Sequence, residues 1–160
     1  MDVRDHITAL APRVLALARS LRGPTADAED LAQDTLRTAL ESSSAFDEAL
    51  GSPDAWLFGI CRRLSRRRAA STIRLGLEDR AASESAPSDW RRDGYCLLDR
   101  AFLALPEDQR SAFSLVVMQG LGYRAAARIE EVTVGTLKSR VSRARRALRL
   151  VLSRYWEDSS

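Results

Sequence analysis

The sequence has very little of what metal centres, disulfides and membrane spans are built from. Its 160 residues include two cysteines, Cys61 and Cys96, with no CxxC pair, and one histidine, His6. A zinc site needs several such ligands at close spacing, so we expect no metal and no cofactor. No apolar run approaches 18 residues, and the acidic start MDVRDHITAL does not fit a secretory signal. We therefore expect a cytoplasmic protein with reduced thiols and no membrane insertion.

The motifs of the common enzyme classes are also missing. No nucleophile–base pair, phosphate-binding glycine loop or carboxylate pair stands out in the sequence. Lysine is nearly absent, because Lys138 is the sole lysine among 25 basic residues. Because this chain uses arginine for nearly all of its basic positions, a basic residue alone is weak evidence for a nucleic-acid site. The sequence predicts a protein that is not an enzyme.

Charge is distributed unevenly along the chain. Residues 1–70 balance 10 basic with 10 acidic residues, whereas residues 96–160 hold 11 basic against 7 acidic residues. Within the first part, five arginines crowd between positions 62 and 68, and most of the acidic residues lie between 27 and 54. The pattern favours two separate basic surfaces, as in a protein that meets a polyanion at two places.

The apolar periodicity is helical, and it predicts an all-α protein. Seven segments carry apolar side chains at spacings of three and four: 3–21, 25–41, 53–69, 94–104, 106–120, 123–129 and 134–156. Between the third and the fourth segment the periodicity fades into small, polar and charged residues, which is typical of a flexible linker. We predict two small helical domains, a three-helix bundle over 1–70 and a four-helix unit over 94–160, joined by a linker over 71–93.

The third predicted helix combines an apolar side with an arginine-rich side. Trp56, Leu57, Ile60, Cys61 and Leu64 can be buried in the first bundle. The remaining positions are then expected to face solvent or a partner: Gly59, Arg62, Arg63, Arg66 and Arg67.

Residues 132–149, VTVGTLKSRVSRARRALR, form the most informative pattern of the chain. Their apolar positions make one helical stripe that must face a core, and six basic residues lie on the other faces. Thr133 can cap the helix start, a short helix is predicted over 123–129, and residues 130–132 form the turn between them. This is helix-turn-helix spacing, with the second helix placed to read DNA. The alternative is an ordinary basic amphipathic helix whose arginine face is merely solvated.

Three blocks of the sequence resemble bacterial extracytoplasmic-function sigma factors. They are DAEDLAQDTLRTAL at 27–40, SPDAWLFGICRR at 52–63, and the highly specific block from LPEDQR to SRARRAL at 105–148. The resemblance implies an alternative sigma factor that binds core RNA polymerase and directs it to the −10 and −35 elements of promoter DNA. The third block is also similar to the general-stress-response subgroup, which implies a small soluble anti-sigma factor as a further partner.

The resemblance implies roles for residues on three surfaces. The first block would dock on the polymerase through a polar stripe: Asp27, Asp30, Gln33, Asp34 and Arg37. The loop at 42–52 and the helix after it would hold the −10 element: Phe46, Trp56, Arg62, Arg63, Arg66 and Arg67. The recognition helix would enter or flank the major groove of the −35 element: Thr133, Thr136, Lys138, Ser139, Arg140, Arg143 and Arg146. No residue is assigned to catalysis, metal or cofactor.

Each of the first two surfaces has a plainer interpretation. The acidic stripe can be a solvated helix face. Phe46 can anchor its loop instead of stacking on a base, and Trp56 is more typical of a core residue than of a base platform.

The sequence departs from the family pattern at several positions. Glu131 stands where many members have glycine, at a turn for which a left-handed backbone is convenient. Glu130 and Glu131 also place negative charge near the expected DNA. Arg63 and Arg67 replace an asparagine and an acidic residue that are common in the family, so the −10 readout is expected to differ or to rely more on charge.

Two other functions compete with the sigma factor. A sigma-like decoy would sequester an anti-sigma factor and would have no promoter activity. The departures from the family pattern favour this function, whereas the retained basic helix argues against it. A stand-alone helix-turn-helix regulator would leave the block at 27–40 unexplained.

Overall fold

Three helices follow one another in the first half of the chain. The computed structural model describes residues 2–76 and 94–158. In its first part, α1 spans Val3–Arg22, α2 spans Ala26–Glu41 and α3 spans Pro53–Arg74. The loop between α2 and α3 contains two short 3₁₀ turns, Ser43–Ala45 and Glu48–Leu50.

The ends of these helices follow from local signals in the sequence. Gly23 adopts a φ of 79°, a left-handed value that glycine tolerates, and ends α1. The Ser52 hydroxyl accepts from the Ala55 N–H at 3.2 Å, and Pro53 occupies the first position of α3. Thr25 precedes α2, but its hydroxyl donates to the Arg22 carbonyl and does not cap the helix. Pro12 lies inside a continuous α1 and does not start it.

Four helices make up the second half. They are α4 (Gly94–Leu103), α5 (Glu107–Phe113), α6 (Tyr123–Glu130) and α7 (Val134–Asp158). The chain continues beyond α5 through a π-helical turn, Ser114–Met118, and Gly120, with a φ of 73°, ends this segment. Every regular element in the described ranges is helical, which confirms the all-α prediction. Of the predicted linker, residues 71–74 belong to α3, and 77–93 lie outside the described residues.

The two halves share one hydrophobic core. Val14 and Leu31 from the first half and Leu115, Leu137 and Val141 from the second belong to the same buried cluster, and each is at most 1% exposed. A smaller cluster around Leu105, Ala144 and Leu148 ties α4 to α7. Apolar burial of this kind is the main favourable term in packing helices together, and it fixes the first unit (α1–α3) against the second (α4–α7).

The thiol of Cys61 belongs to the core of the first unit. It is fully buried and lies within hydrogen-bonding reach of Thr35 on α2. Burial raises the pKa of this thiol to about 11, so it stays protonated at neutral pH. Cys61 therefore acts as a small apolar core residue.

Candidate DNA and polymerase interfaces

The start of α7 has the geometry that the sequence predicted for a recognition helix. Thr133 caps it by accepting from the Thr136 N–H at 3.2 Å. Leu137 and Val141 turn into the core and are 0% and 1% exposed. On the opposite side, six of the seven residues predicted to contact the −35 element are exposed: Thr133, Thr136, Lys138, Ser139, Arg143 and Arg146. These side chains form one polar, basic face.

Arg140 is the exception in this set. Its guanidinium lies 3.3 Å from Asp108 and 3.6 Å from Glu130, and its side chain is 20% exposed. Arg140 therefore has to give up at least one of these carboxylates before it can contact a base or a phosphate.

A shallow basic groove runs between α6 and α7. The ammonium group of Lys138 lies 5.5 Å from the centre of the Tyr123 ring, within the range of a cation–π contact. Arg145, Arg146 and Arg149 complete the lining. Such a groove can hold the phosphates of a nucleic-acid backbone beside the recognition helix.

The turn between α6 and α7 contains a left-handed residue. Glu131 has φ 57° and ψ 40°, and among the described residues it is the one non-glycine with a positive φ. Its N–H satisfies the carbonyls at the end of α6, on Ala127 and Arg128. Many family members have glycine at this position, and that pattern correctly indicated a left-handed backbone here.

The polar stripe on α2 is partly committed to contacts within the first unit. Arg68 of α3 binds Asp27 at 2.8 Å and Asp34 at 2.5 Å, and Arg37 binds Asp34 at 2.8 Å. The remaining members of the predicted docking set, Asp30 and Gln33, are exposed. Arg68, which was left out of every predicted site, therefore fixes α3 to α2.

Two aromatic residues of the predicted −10 surface touch each other. The rings of Phe46 and Trp56 lie 5.3 Å apart at an angle of 56°, and both side chains are half-buried. Phe46 thus anchors its loop on α3, while the partly exposed pair still presents aromatic surface at the edge of the loop.

The arginines of α3 do not all face solvent, and for Arg62 that prediction is wrong. Arg62 is 3% exposed. Its Nε donates to Glu130 Oε1 at 2.9 Å and its Nη1 donates to Glu107 Oε1 at 2.5 Å. The apolar pattern of α3 indicates only its packing within its own bundle, whereas the second unit covers this side of the helix.

Arg66 extends the same contact. It donates to the Glu130 carbonyl at 3.0 Å and lies 3.3 Å from the Glu130 carboxylate. A weaker bond reaches Glu131 at 3.4 Å. Arg63 and Arg67 are exposed, as predicted.

Glu130 lies at the centre of this network. Its side chain is fully buried and accepts from Arg62, from Arg66 and from the hydroxyl of Ser111. The carboxylate is therefore enclosed between the two units, a burial that the sequence did not predict.

The charged forms of this cluster stabilise one another. Burial disfavours the charged form of Arg62, but the hydrogen bonds and charge of Glu130 outweigh it and raise the pKa of Arg62. Burial likewise acts to raise the pKa of Glu107, but Arg62 holds it below its ordinary value. The stabilisation from Glu107 is thus complete above its ordinary pKa and is lost as the pH falls through the lowered one.

Sequence reasoning missed two further arginines that join the units. Arg13 on α1 pairs with Asp54 and donates to the side chain and the carbonyl of Gln119, at 3.2 and 2.6 Å. Arg110 on α5 donates to the Leu21 carbonyl at 3.3 Å. No local pattern marks either residue, because the partner in the other unit is 106 positions away from Arg13 and 89 positions away from Arg110.

Comparison with known proteins supplies the family. The model of Sigma-70 region 2 matches residues 6–74, and that of Sigma-70, region 4 matches residues 97–148. The chain is 39% identical to the ECF RNA polymerase sigma factor EcfG of Rhodopseudomonas palustris, covering 94% of this chain and 85% of the relative. It is 32% identical to SigL of Mycobacterium tuberculosis over 84% and 80% of the two chains.

The solved structures agree with this result. The sigma factor RpoE from Bartonella quintana, crystallised in complex with the anti-sigma factor NepR, matches with a TM-score of 0.74 and 31% identity. The match covers 95% of this chain and 97% of RpoE. The chain belongs to the ECF RNA polymerase sigma factors, the alternative sigma factors that bind core RNA polymerase and direct it to promoters. In the described part of the chain, no helix is long and apolar enough to cross a membrane.

The left-handed turn gives a first prediction. Replacing Glu131 with glycine should raise the free energy of unfolding, because an L-residue in this conformation costs about 1–2 kcal/mol. The extra chain entropy of glycine offsets part of this gain, so we expect about 0.5–1 kcal/mol net. Glu131→Ala is the matched control, since it removes the same carboxylate but keeps the Cβ. Chemical denaturation should give a higher free energy of unfolding for Glu131→Gly than for Glu131→Ala. Equal values would contradict the expected backbone strain at position 131.

Proposed function

We propose that the two units of this sigma factor divide promoter recognition between them. The region 4 unit reads the −35 element with the start of α7, and the region 2 unit docks on the polymerase through α2 and holds the −10 strand with the loop at 42–52 and α3. The observation that carries this proposal is the capped, exposed basic face at the start of α7, in a family-specific helix-turn-helix.

Several features of α7 support the −35 assignment. A helix-turn-helix places the start of its second helix against base edges, and here Thr136, Ser139, Arg140 and Arg143 occupy the first three turns. Arginine can bind guanine through two hydrogen bonds, whereas short hydroxyls and a lone lysine mainly position the protein on phosphates. Arg143 is exposed, while Arg140 is held by two carboxylates. We therefore assign the main base contact to Arg143.

Exposure along α2 supports the polymerase assignment. Asp30, Gln33 and Arg37 present a mixed polar surface to solvent. Asp30 is exposed, so its carboxylate is accessible to a partner. Asp27 and Asp34 instead hold α3 through Arg68 and shape the surface around Asp30.

The −10 assignment rests on an aromatic pair near the start of α3 and on cationic groups further along the helix. The Phe46–Trp56 pair offers a surface on which a base can stack, and Arg63 and Arg67 are exposed for the strand backbone. Arg62 and Arg66 lie on the same helix but bind Glu130 of region 4.

An anti-sigma factor is the remaining partner that we propose. It is supported by the similarity to RpoE, which was crystallised with NepR. We assign the chain to the general-stress-response subgroup, in the cytoplasm and without an enzymatic activity of its own. The decoy alternative is not favoured, since the relatives are named as RNA polymerase sigma factors and the basic face of α7 is intact.

Transcription in vitro tests the proposal as a whole. Purified core polymerase with the full chain should start transcription on a library of genomic fragments at sites that share a −35/−10 motif. Core polymerase alone and polymerase with heat-denatured protein are the controls. Absence of protein-dependent starts, alongside capture of an anti-sigma protein, would instead support a decoy.

The −35 assignment predicts the effect of Arg143→Ala. Loss of a two-point base contact should weaken binding to a duplex carrying the −35 element by about 1–3 kcal/mol. If Arg143 instead contacts a phosphate, the slope of log affinity against log salt should fall by about 0.9. Arg154→Ala is the matched control, since it lies on nearly the same face of α7 but about 16 Å further along. Equal affinity of both variants and the wild type would refute this role.

The polymerase assignment predicts that Asp30→Arg prevents association with core polymerase, because it reverses an exposed charge at the centre of the docking surface. Helical circular dichroism should be unchanged, since Asp30 is an exposed residue of α2. Asp5→Arg makes the same charge change on the exposed side of α1 and should bind normally. Co-elution with core polymerase is the measurement, and retention of Asp30→Arg would remove α2 from the interface.

A further inference from the structure

The loop between α2 and α3 contains no basic residue. Residues 42–52, SSSAFDEALGS, include the exposed carboxylates of Asp47 and Glu48 but neither lysine nor arginine. These carboxylates repel phosphates, and the exposed cations proposed for the strand backbone, Arg63 and Arg67, lie beyond the loop on α3. The loop is therefore suited to contact the bases of a bound strand and not its backbone.

Leu50 is a large apolar side chain of this loop that lies in water. It is 74% exposed, whereas Phe46 in the same loop packs against Trp56. Burial of apolar surface is favourable, and most of the Leu50 side chain is still available for it. Single exposed leucines are common on protein surfaces, but the backbone around Leu50 distinguishes it from such a residue.

An ordered turn fixes the position of Leu50. The carboxylate of Asp47 accepts from the Ala49 N–H at 2.9 Å, and its carbonyl accepts from the Leu50 N–H at 3.0 Å, which closes the 3₁₀ turn Glu48–Leu50. Gly51 follows with a φ of 152°, a value that other residues rarely adopt. Because the turn is ordered before any ligand binds, a contact made by Leu50 costs little conformational entropy.

We propose that Leu50 is an apolar wedge: as the −10 element opens, its side chain enters the base stack at the point where the two strands part. This inference rests on the −10 role proposed above. Proteins that unstack DNA commonly insert a leucine, isoleucine, methionine or phenylalanine between base steps. Leu50 replaces the contact that two bases lose on unstacking, and the Phe46–Trp56 pair offers a stacking surface for an exposed base. The wedge stabilises the opened −10 element and speeds its formation.

Strand opening on two forms of one promoter tests this role. The first form is a duplex promoter mapped by the transcription experiment. The second carries mismatched bases across the −10 element, so its strands are already separated there. Core polymerase and the full chain are added to each form. Opening of the duplex is followed by the fluorescence of 2-aminopurine placed in the −10 element, and transcript yield is measured on both forms.

Two variants and a matched control are compared with the wild type. Leu50→Ser should open the duplex about tenfold more slowly, since it removes roughly half of the burial of a leucine side chain. Leu50→Met keeps a long apolar side chain and should open the duplex at close to the wild-type rate. Ile73→Ser should have no effect, because Ile73 is 79% exposed but lies about 30 Å along α3 from the loop. On the mismatched promoter all four proteins should give equal transcript yields.

The outcomes separate this inference from the proposed function. A wild-type opening rate for Leu50→Ser, with a folded protein by circular dichroism, would overturn the wedge and leave Leu50 as a solvated loop residue. An equal defect of Leu50→Ser on both promoters would also overturn it, because Leu50 would then hold the single strand after opening. The sigma-factor role stands in both cases, since the wild type still directs transcription. Failure of the wild type on both promoters would overturn the −10 role and the wedge together.

Discussion

The buried ion pair between Arg62 and Glu130 constrains the arrangement of the whole molecule. Two charged groups buried away from water are tolerated only when they pair and form hydrogen bonds with each other. Removal of one partner from such a pair typically lowers the free energy of unfolding by about 3–5 kcal/mol. Glu107 and Ser111 complete the hydrogen bonding around the pair. Because Arg62 is on α3 and the other three residues are on α5 and α6, the pair fixes the relative position of the two units.

The two sides of α3 explain why this helix was the hardest to interpret from sequence. Phe58 is fully buried, and so are Ser65 and Arg62, which lie outside the apolar stripe of the helix. A helix covered from two directions carries polar residues at buried positions, and amphipathic periodicity then understates its burial. The five arginines at 62–68 therefore lie in three different environments. Arg62 and Arg66 bind region 4, Arg68 binds α2, and Arg63 and Arg67 are exposed to solvent.

Features set by local rules were predictable, and those set by distant contacts were not. Thr133 and Ser52 cap their helices, and Glu131 adopts the left-handed conformation that the family pattern indicated, because these outcomes depend on a few neighbouring residues. The pairing of Arg62 with Glu130 joins positions 68 residues apart. Charge alone does not show which arginines pair with a carboxylate inside the protein and which stay exposed. The packing of the two units determines this.

The two proposed DNA surfaces differ in accessibility. The basic face of α7 is exposed through Lys138, Arg143 and Arg146, whereas Arg62 of α3 is buried against the second unit. The face of α7 can therefore meet the polyanionic duplex without any rearrangement.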